Sequence, residues 1–163
     1  MAPHVYAFRA MTAADLPLIR DWLAQPHIAA WWGDPGEQYA LINDDLGHPA
    51  MKQFIVTADD LSFAYLQCYD PAAWPEGGLG TQPARTRGID QFIGDPAMVE
   101  RGHGSAFIRA FVDRLFKNGA PRAITDPDPD NARAVRAYEK AGFQAQHLVD
   151  TCDGPALLMV RDA

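Results

Sequence analysis

Gly102-His103-Gly104 stands between a strand-like segment and a long helix with one apolar face, the arrangement needed to hold a pyrophosphate. Glycine lets the backbone approach closely, and the free amides of a helix N-terminus point at the anion from the positive end of the dipole. Position 107 is Phe and no Walker lysine is present, so neither the full dinucleotide fingerprint nor a P-loop is written here. Alone, this GxG reads as a simple turn. A second stretch, Asp126-Pro127-Asp128-Pro129-Asp130-Asn131, alternates acids as a calcium loop begins to do. The sharp-turn glycine and the distal bidentate glutamate are missing and two prolines restrict the loop, so no metal is expected. It reads better as a strand-to-helix loop in which Asp130 or Asn131 caps the helix while Asp126 faces a cleft. Trp31-Trp32 lies between proline and glycine punctuation; such a pair either closes a corner of the core or walls a ligand site. Cys68 and Cys152 lie far apart with no CxxC, which predicts two reduced thiols.

The elements that would position these residues follow from periodicity. Thr12 and Asp15 open a first helix to about Gln25, with Leu16, Ile19, Trp22 and Leu23 at helical spacing. Pro26 to Gly36 reads as a punctuated loop, and residues 38–42 as a short second helix. Residues 54–57 and 61–69 form strands joined by the turn Ala58-Asp59-Asp60, and a proline- and glycine-rich loop from Pro71 to Pro83 folds over something. A strand over 86–93 ends at Gly94-Asp95-Pro96. The helix opened by Gly102-His103-Gly104-Ser105 presents Ile108, Phe111, Val112, Leu115 and Phe116 on one face and stops at Asn118-Gly119. A short strand over 122–125 precedes a helix with Ala134, Val135, Tyr138 and Ala141 on its buried face, and residues 143–160 make a hairpin turned at Asp153-Gly154-Pro155.

With 163 residues, 48% of them hydrophobic and 21% charged, the chain predicts one domain over 1–163. No internal repeat and no linker divides it. No apolar stretch reaches the ~20 residues of a membrane span, and the N-terminal residues carry no secretory pattern, so the expectation is a cytoplasmic protein without a membrane partner. A net charge of -7 argues against nucleic acid, whose phosphates need clustered Lys and Arg, and suits a cationic partner if the acids surround a cleft.

Arg101-Gly102-His103-Gly104-Ser105, the helix after it, and Asn131-Ala132-Arg133-Ala134-Val135-Arg136-Ala137-Tyr138-Glu139-Lys140-Ala141-Gly142-Phe143 resemble the coenzyme-A half of the GNAT N-acyltransferases, with their QxxGxG/A loop and NxxAxxxYEKxGF helix. The second motif matches at every fixed position; in the first, Val99 replaces the usual Gln or Arg. His27-Ile28-Ala29-Ala30-Trp31-Trp32-Gly33, Tyr65-Leu66-Gln67-Cys68-Tyr69, Arg87-Gly88-Ile89-Asp90-Gln91, Thr125-Asp126-Pro127 and Asp153-Gly154-Pro155 resemble segments of the aminoglycoside 6′-N-acetyltransferases. The resemblance implies an α/β (α+β) GNAT fold: a central mixed, mostly antiparallel sheet, splayed to admit acyl-CoA and flanked by helices.

It also implies acetyl transfer from acetyl-CoA, as co-substrate and without a metal, to the 6′-amine of an aminoglycoside, by a monomer or homodimer. Asp90 would be the base for the amine, and Tyr138 would lie near the coenzyme sulfur. Coenzyme contacts would come from Phe92, Ile93, Arg101, Gly102, His103, Gly104, Ser105, Asn131 and Tyr138, and acceptor contacts from Trp32, Gln67, Asp90, Asp126 and Asp153. These roles suit the chemistry. An ammonium group cannot attack a thioester until a carboxylate, directly or through water, takes its proton; a strand amide from Phe92 or Ile93 would polarise the carbonyl, and a phenol would protonate the departing thiolate. Without the resemblance, Asp90 reads as a strand-edge acid and Tyr138 as a core ring. The loop from Pro71 to Arg85 holds one acid and one Arg where the family's is strongly acidic, so fewer carboxylates attract a polycation. The same machinery with a narrower pocket would serve a hydroxylysine-like amine of siderophore assembly, and a chain that binds without turnover is the remaining alternative.

Overall fold

The computed structural model describes residues 4–163. Seven strands form one sheet in the order β1-β2-β3-β4-β5-β7-β6, where β1 is Tyr6–Ala10, β2 Met51–Ala58, β3 Leu61–Tyr69, β4 Arg87–Ile93, β5 Arg122–Thr125, β6 Gln144–Thr151 and β7 Gly154–Asp162. The helices are α1 (Leu16–Leu23), α2 (Pro26–Trp32), α3 (Pro35–Asp45), α4 (His103–Lys117) and α5 (Ala132–Lys140). β1–β2, β5–β7 and β6–β7 are antiparallel and β4–β5 is parallel, so the sheet is mixed and mostly antiparallel. No described helix is long and apolar enough to cross a membrane.

The chain groups into two compact units, one holding residues up to Gln67 with Gln91–Arg101, the other Cys68–Asp90 with Gly102–Ala163. The first unit packs Ile19, Trp22 and Leu23 of α1, Ile28 of α2 and Ile42 of α3 on Ile55, Tyr65 and Phe92. Ile19, Leu23 and Ile55 are at most 1% exposed, and each contributes about 1.5–3 kcal/mol by leaving water. The Thr12 amide donates to Asp15 Oδ2 at 2.9 Å, as the opening pattern predicts, although the turn over Ala13–Asp15 is a 3₁₀ helix that passes into α1. Residues 26–36 depart from expectation. They are helical in α2 and again from Pro35, because Pro26 and Pro35 each occupy the first helical position, where a missing N–H costs nothing and φ is already correct. Asp34 caps α3 by accepting from the Glu37 amide at 3.0 Å.

In the second unit α4 buries Phe107, Ile108, Phe111 and Val112, and Ile124, Leu158 and Val160 form a cluster against which Leu79 and Val149 pack. Leu79 belongs to the proline-rich loop, which makes two short 3₁₀ turns at Pro71–Ala73 and Pro75–Gly77. That loop lies on β6: a Cβ at Gly78 would stand 2.3 Å from the Asp150 carbonyl oxygen. The β4–β5 ladder pairs Arg87 with Ala123 and Gly88 with Ile124, whereas β4 itself runs on to Ile93.

Candidate active site

Side chains alternate along a strand, so Gly88 and Asp90 share one face of β4. Gly88 lies opposite Ile124 in a parallel ladder, and two residues further each chain carries a carboxylate, Asp90 on one and Asp126 on the other. Thr125 Oγ1 donates to the Ile89 carbonyl at 2.9 Å and fixes the two chains together where the acids begin. Asp126 is half-buried, and burial, followed by the charges of Asp90 and Asp153, raises its pKa from 3.8 to about 8. Before a cation arrives, Asp126 therefore favours its protonated form at neutral pH, and an arriving cation favours the ionised form. Asp153 is exposed in the β6–β7 turn, where its amide donates to Thr151 Oγ1 at 3.2 Å. It serves the turn and acts on Asp126 at once.

Tyr138, on α5, is buried and meets Phe143 edge-on at 5.5 Å. Tyr69, at the end of β3, has its phenol pKa raised well above 10 by burial and by the charges of Asp90 and Asp126, with Tyr138 and Cys68 adding less. The second unit thus brings together Asp90, Asp126, Asp153 and Tyr138, four of the expected site residues, around a tyrosine that the motif reading passed over.

At the mouth of α4, Gly102 adopts φ +82° and lies in open space, so its glycine is required by the backbone and not by crowding. His103 is buried at the first helical position, Gly104 and Ser105 are half-buried, and Ser105 Oγ donates to the Gly102 carbonyl at 3.3 Å. A fifteen-residue helix begins here, and its first-turn amides are the donors that a phosphate would use. Asn131, not Asp130, caps α5: its Oδ1 accepts from the Ala134 amide at 3.3 Å. Arg109 donates to the Lys140 carbonyl and ties α4 to the end of α5. Cys68 is buried and Cys152 exposed, both as free thiols.

The remaining expected residues lie in the first unit, except Arg101's neighbours at the α4 mouth already described; Arg101 itself is exposed. Trp32 packs edge-on against Phe92 at 5.1 Å and Tyr65 at 6.4 Å, which closes a corner of the core, while Trp31 is 46% exposed. The tryptophan pair therefore divides its labour. Gln67 Oε1 accepts from the Tyr65 hydroxyl at 2.7 Å. Phe92 is buried and stacks on Tyr65 at 5.2 Å. The Ile93 carbonyl accepts from His27 Nε2 at 2.7 Å, and the next residue, Gly94, donates to the Phe63 carbonyl at 2.8 Å. His27 thus fixes the strand end whose amides were expected to meet the thioester, a role that its place in the HIAAWWG segment alone does not reveal.

The sequence pattern of the acetyltransferase (GNAT) domain matches residues 11–151. The aminoglycoside N(6′)-acetyltransferase type 1 of Klebsiella pneumoniae is 36% identical over 94% of this chain and 81% of its own. The solved structure of AAC(6′)-Ib with paromomycin and acetyl-CoA superposes with a TM-score of 0.86 at 33% identity, over 96% of this chain and 93% of that one. The same protein with coenzyme A and kanamycin gives 0.86 at 33% identity, over 97% and 95%. A lysine N-acyltransferase, MbtK, of Mycolicibacterium paratuberculosis is 27% identical over 99% of this chain and 76% of its own.

Proposed function

Because this chain belongs to the GNAT acetyltransferase family, we propose that it transfers the acetyl group of acetyl-CoA to the 6′-amine of an aminoglycoside. The observation that carries the reading is the grouping of Asp126 with Asp90 and Asp153, where burial first and then the charges of the other two raise Asp126 to about 8. Three carboxylates held this close repel one another, and a cation carrying several ammonium groups relieves that repulsion. The relatives that act on or bind aminoglycosides support the same acceptor.

In the proposed reaction Asp90 takes a proton from the bound ammonium, directly or through water. The freed nitrogen forms a bond to the acetyl carbon, the carbon–sulfur bond breaks, Tyr138 gives its phenolic proton to the departing thiolate, and the second proton that the nitrogen sheds on becoming an amide passes through solvent to restore the phenol. Backbone amides at Phe92 or Ile93 hold the oxyanion, and the α4 amides from Gly102 to Ser105 hold the pyrophosphate. Asn131 orders the start of α5, on which Tyr138 rides. Contacts from Trp32, Gln67 and Arg101 are proposed on the family likeness alone. Acetyl-CoA is the co-substrate and no metal takes part. The chain is proposed to work as one cytoplasmic domain, monomeric or homodimeric, with neither nucleic acid nor membrane as partner, and to confer resistance where it is expressed.

A lysine-like amine is the second reading. The likeness to a lysine N-acyltransferase and the single acid between Pro71 and Arg85 favour it. Thiol release from acetyl-CoA, measured with kanamycin and with a lysine-type hydroxylamine, separates the two. Turnover with kanamycin is expected, and turnover confined to the hydroxylamine would transfer the assignment.

A further inference from the structure

Tyr69 is placed with more precision than a space-filling ring requires. A Cβ at Gly88 would stand 2.2 Å from Tyr69 Cζ and 2.6 Å from its hydroxyl oxygen, so the phenol occupies the notch that glycine leaves on β4. Any larger residue at 88 would push the ring away. On its other side the ring meets Trp74 edge-on at 6.0 Å. Trp74 belongs to the loop whose start is fixed by the Ala72 amide donating to Asp70 Oδ1 at 3.0 Å. The notch also fixes where the hydroxyl oxygen sits. Residues two apart on a strand lie roughly 6.5–7 Å apart on the same face, so a hydroxyl seated at Gly88 lies in the neighbourhood of Asp90, whose charge acts on the phenol. Asp126, just past the end of the neighbouring strand β5, also acts on the phenol.

We propose that Tyr69 is a positioning residue of the transfer reaction: seated on Gly88, its hydroxyl turns its proton toward Asp90 and keeps that carboxylate ionised beside Asp126. This inference rests on the proposed role of Asp90. Phenylalanine would fill the notch equally well, but only a hydroxyl brings a donor to an ionised Asp90. Donation to an ionised carboxylate favours its charged form. A base that must accept a proton from an ammonium gains by this once a bound cation has ionised Asp126, because that second charge raises the cost of its own. The titratable groups around the phenol are Asp90 on β4, Asp126 after β5, Tyr138 on α5 and Cys68 on β3, with Asp153 acting through Asp126. The phenol stays neutral throughout the working pH range, so it donates at every pH at which the base is charged.

The test is the Tyr69→Phe variant, with the acid limb of kcat/KM for kanamycin measured at saturating acetyl-CoA. The limb is expected to move up by about half to one pH unit, the scale of one lost hydrogen bond to a carboxylate, while KM for acetyl-CoA stays within about twofold. Gly88→Ala, which keeps the hydroxyl but displaces it, is expected to move the limb the same way. A rate lowered equally at all pH values, with the limb in place, would make Tyr69 a packing residue and overturn the proposal. The carboxyl carbons of Asp90 are also titrated by NMR in the free protein, wild type against Tyr69→Phe. An upward move of Asp90 supports the proposal even if kanamycin is not an acceptor, and an unmoved Asp90 overturns it even if kanamycin is. The acceptor assignment and the role of Tyr69 are thereby judged by separate readings.

Discussion

Replacing Asp126 by Asn removes one carboxylate from a crowded group, and the consequence for the free protein runs against intuition. Between pH 3.8 and about 8 the folded chain keeps a proton on Asp126 that the unfolded chain has lost. Stability therefore falls as pH rises through that window, and above it the folded state carries the whole cost of a charge that is buried first and repelled by Asp90 and Asp153 second. The distance from 3.8 to about 8 corresponds, at about 1.36 kcal/mol per pH unit, to an upper limit of roughly 5–6 kcal/mol. Asp126 is only half-buried, and solvent screening brings the expectation down to about 2–3 kcal/mol. Urea or thermal unfolding of wild type and Asp126→Asn at pH 5 and pH 8.5 measures it. The variant is expected to be the more stable of the two at pH 8.5, by roughly 4–10 °C for a chain of this size, with much of the gain gone at pH 5. The same variant should bind a polycation less tightly, as groups kept for binding commonly cost stability. An equal effect at both pH values, or a destabilised variant at pH 8.5, would refute the reasoning.

Asp90→Asn should retain acetyl-CoA binding by calorimetry and lower turnover by ~100-fold or more, the scale of general-base loss, whereas unchanged turnover removes Asp90 from the chemistry. Tyr138→Phe should reduce kcat; an effect confined to coenzyme affinity would make the ring a packing element. Gly94→Ala would place a Cβ 2.1 Å from the Trp22 ring and should destabilise the protein by about 1–3 kcal/mol in urea unfolding. Asp153→Asn should weaken kanamycin more than a monoamine, and equal losses on both would argue against a direct contact.

Much of this was legible from residue types. The α4 and α5 faces, the Gly102 turn and a cap at Asp130 or Asn131 follow from local rules, because each depends on neighbours within one helical turn; the structure selects Asn131. The strand pair on either side of Asp59-Asp60 was equally plain, though β2 begins at Met51, before its apolar run. Pro26 and Pro35 misled, since proline opens a helix as readily as it ends one, and only the cap at Asp34 distinguishes the cases. β1 was not foreseen: five residues, most of them exposed, earn their place by pairing with β2 from Tyr6–Ala58 to Ala10–Phe54, a partner far along the chain. Tyr69 and His27 were missed for the same reason. The first depends on an absent side chain at Gly88 and the second on a carbonyl at Ile93, and neither partner is a chemical signal in sequence. Asp90, Asp126 and Asp153 could be named from motifs, but their mutual repulsion emerged only from the β4–β5 register and the β6–β7 turn.

The central claim is that the carboxylate group directs acetyl transfer to one amine of an aminoglycoside. Its most direct test is thiol release from acetyl-CoA by the purified protein with kanamycin or tobramycin, set against analogues that lack the 6′-amine. Turnover is expected with the parent compounds and none with the analogues. Equal turnover on both would contradict the 6′ assignment, and silence with every aminoglycoside despite acetyl-CoA binding would contradict the acceptor itself.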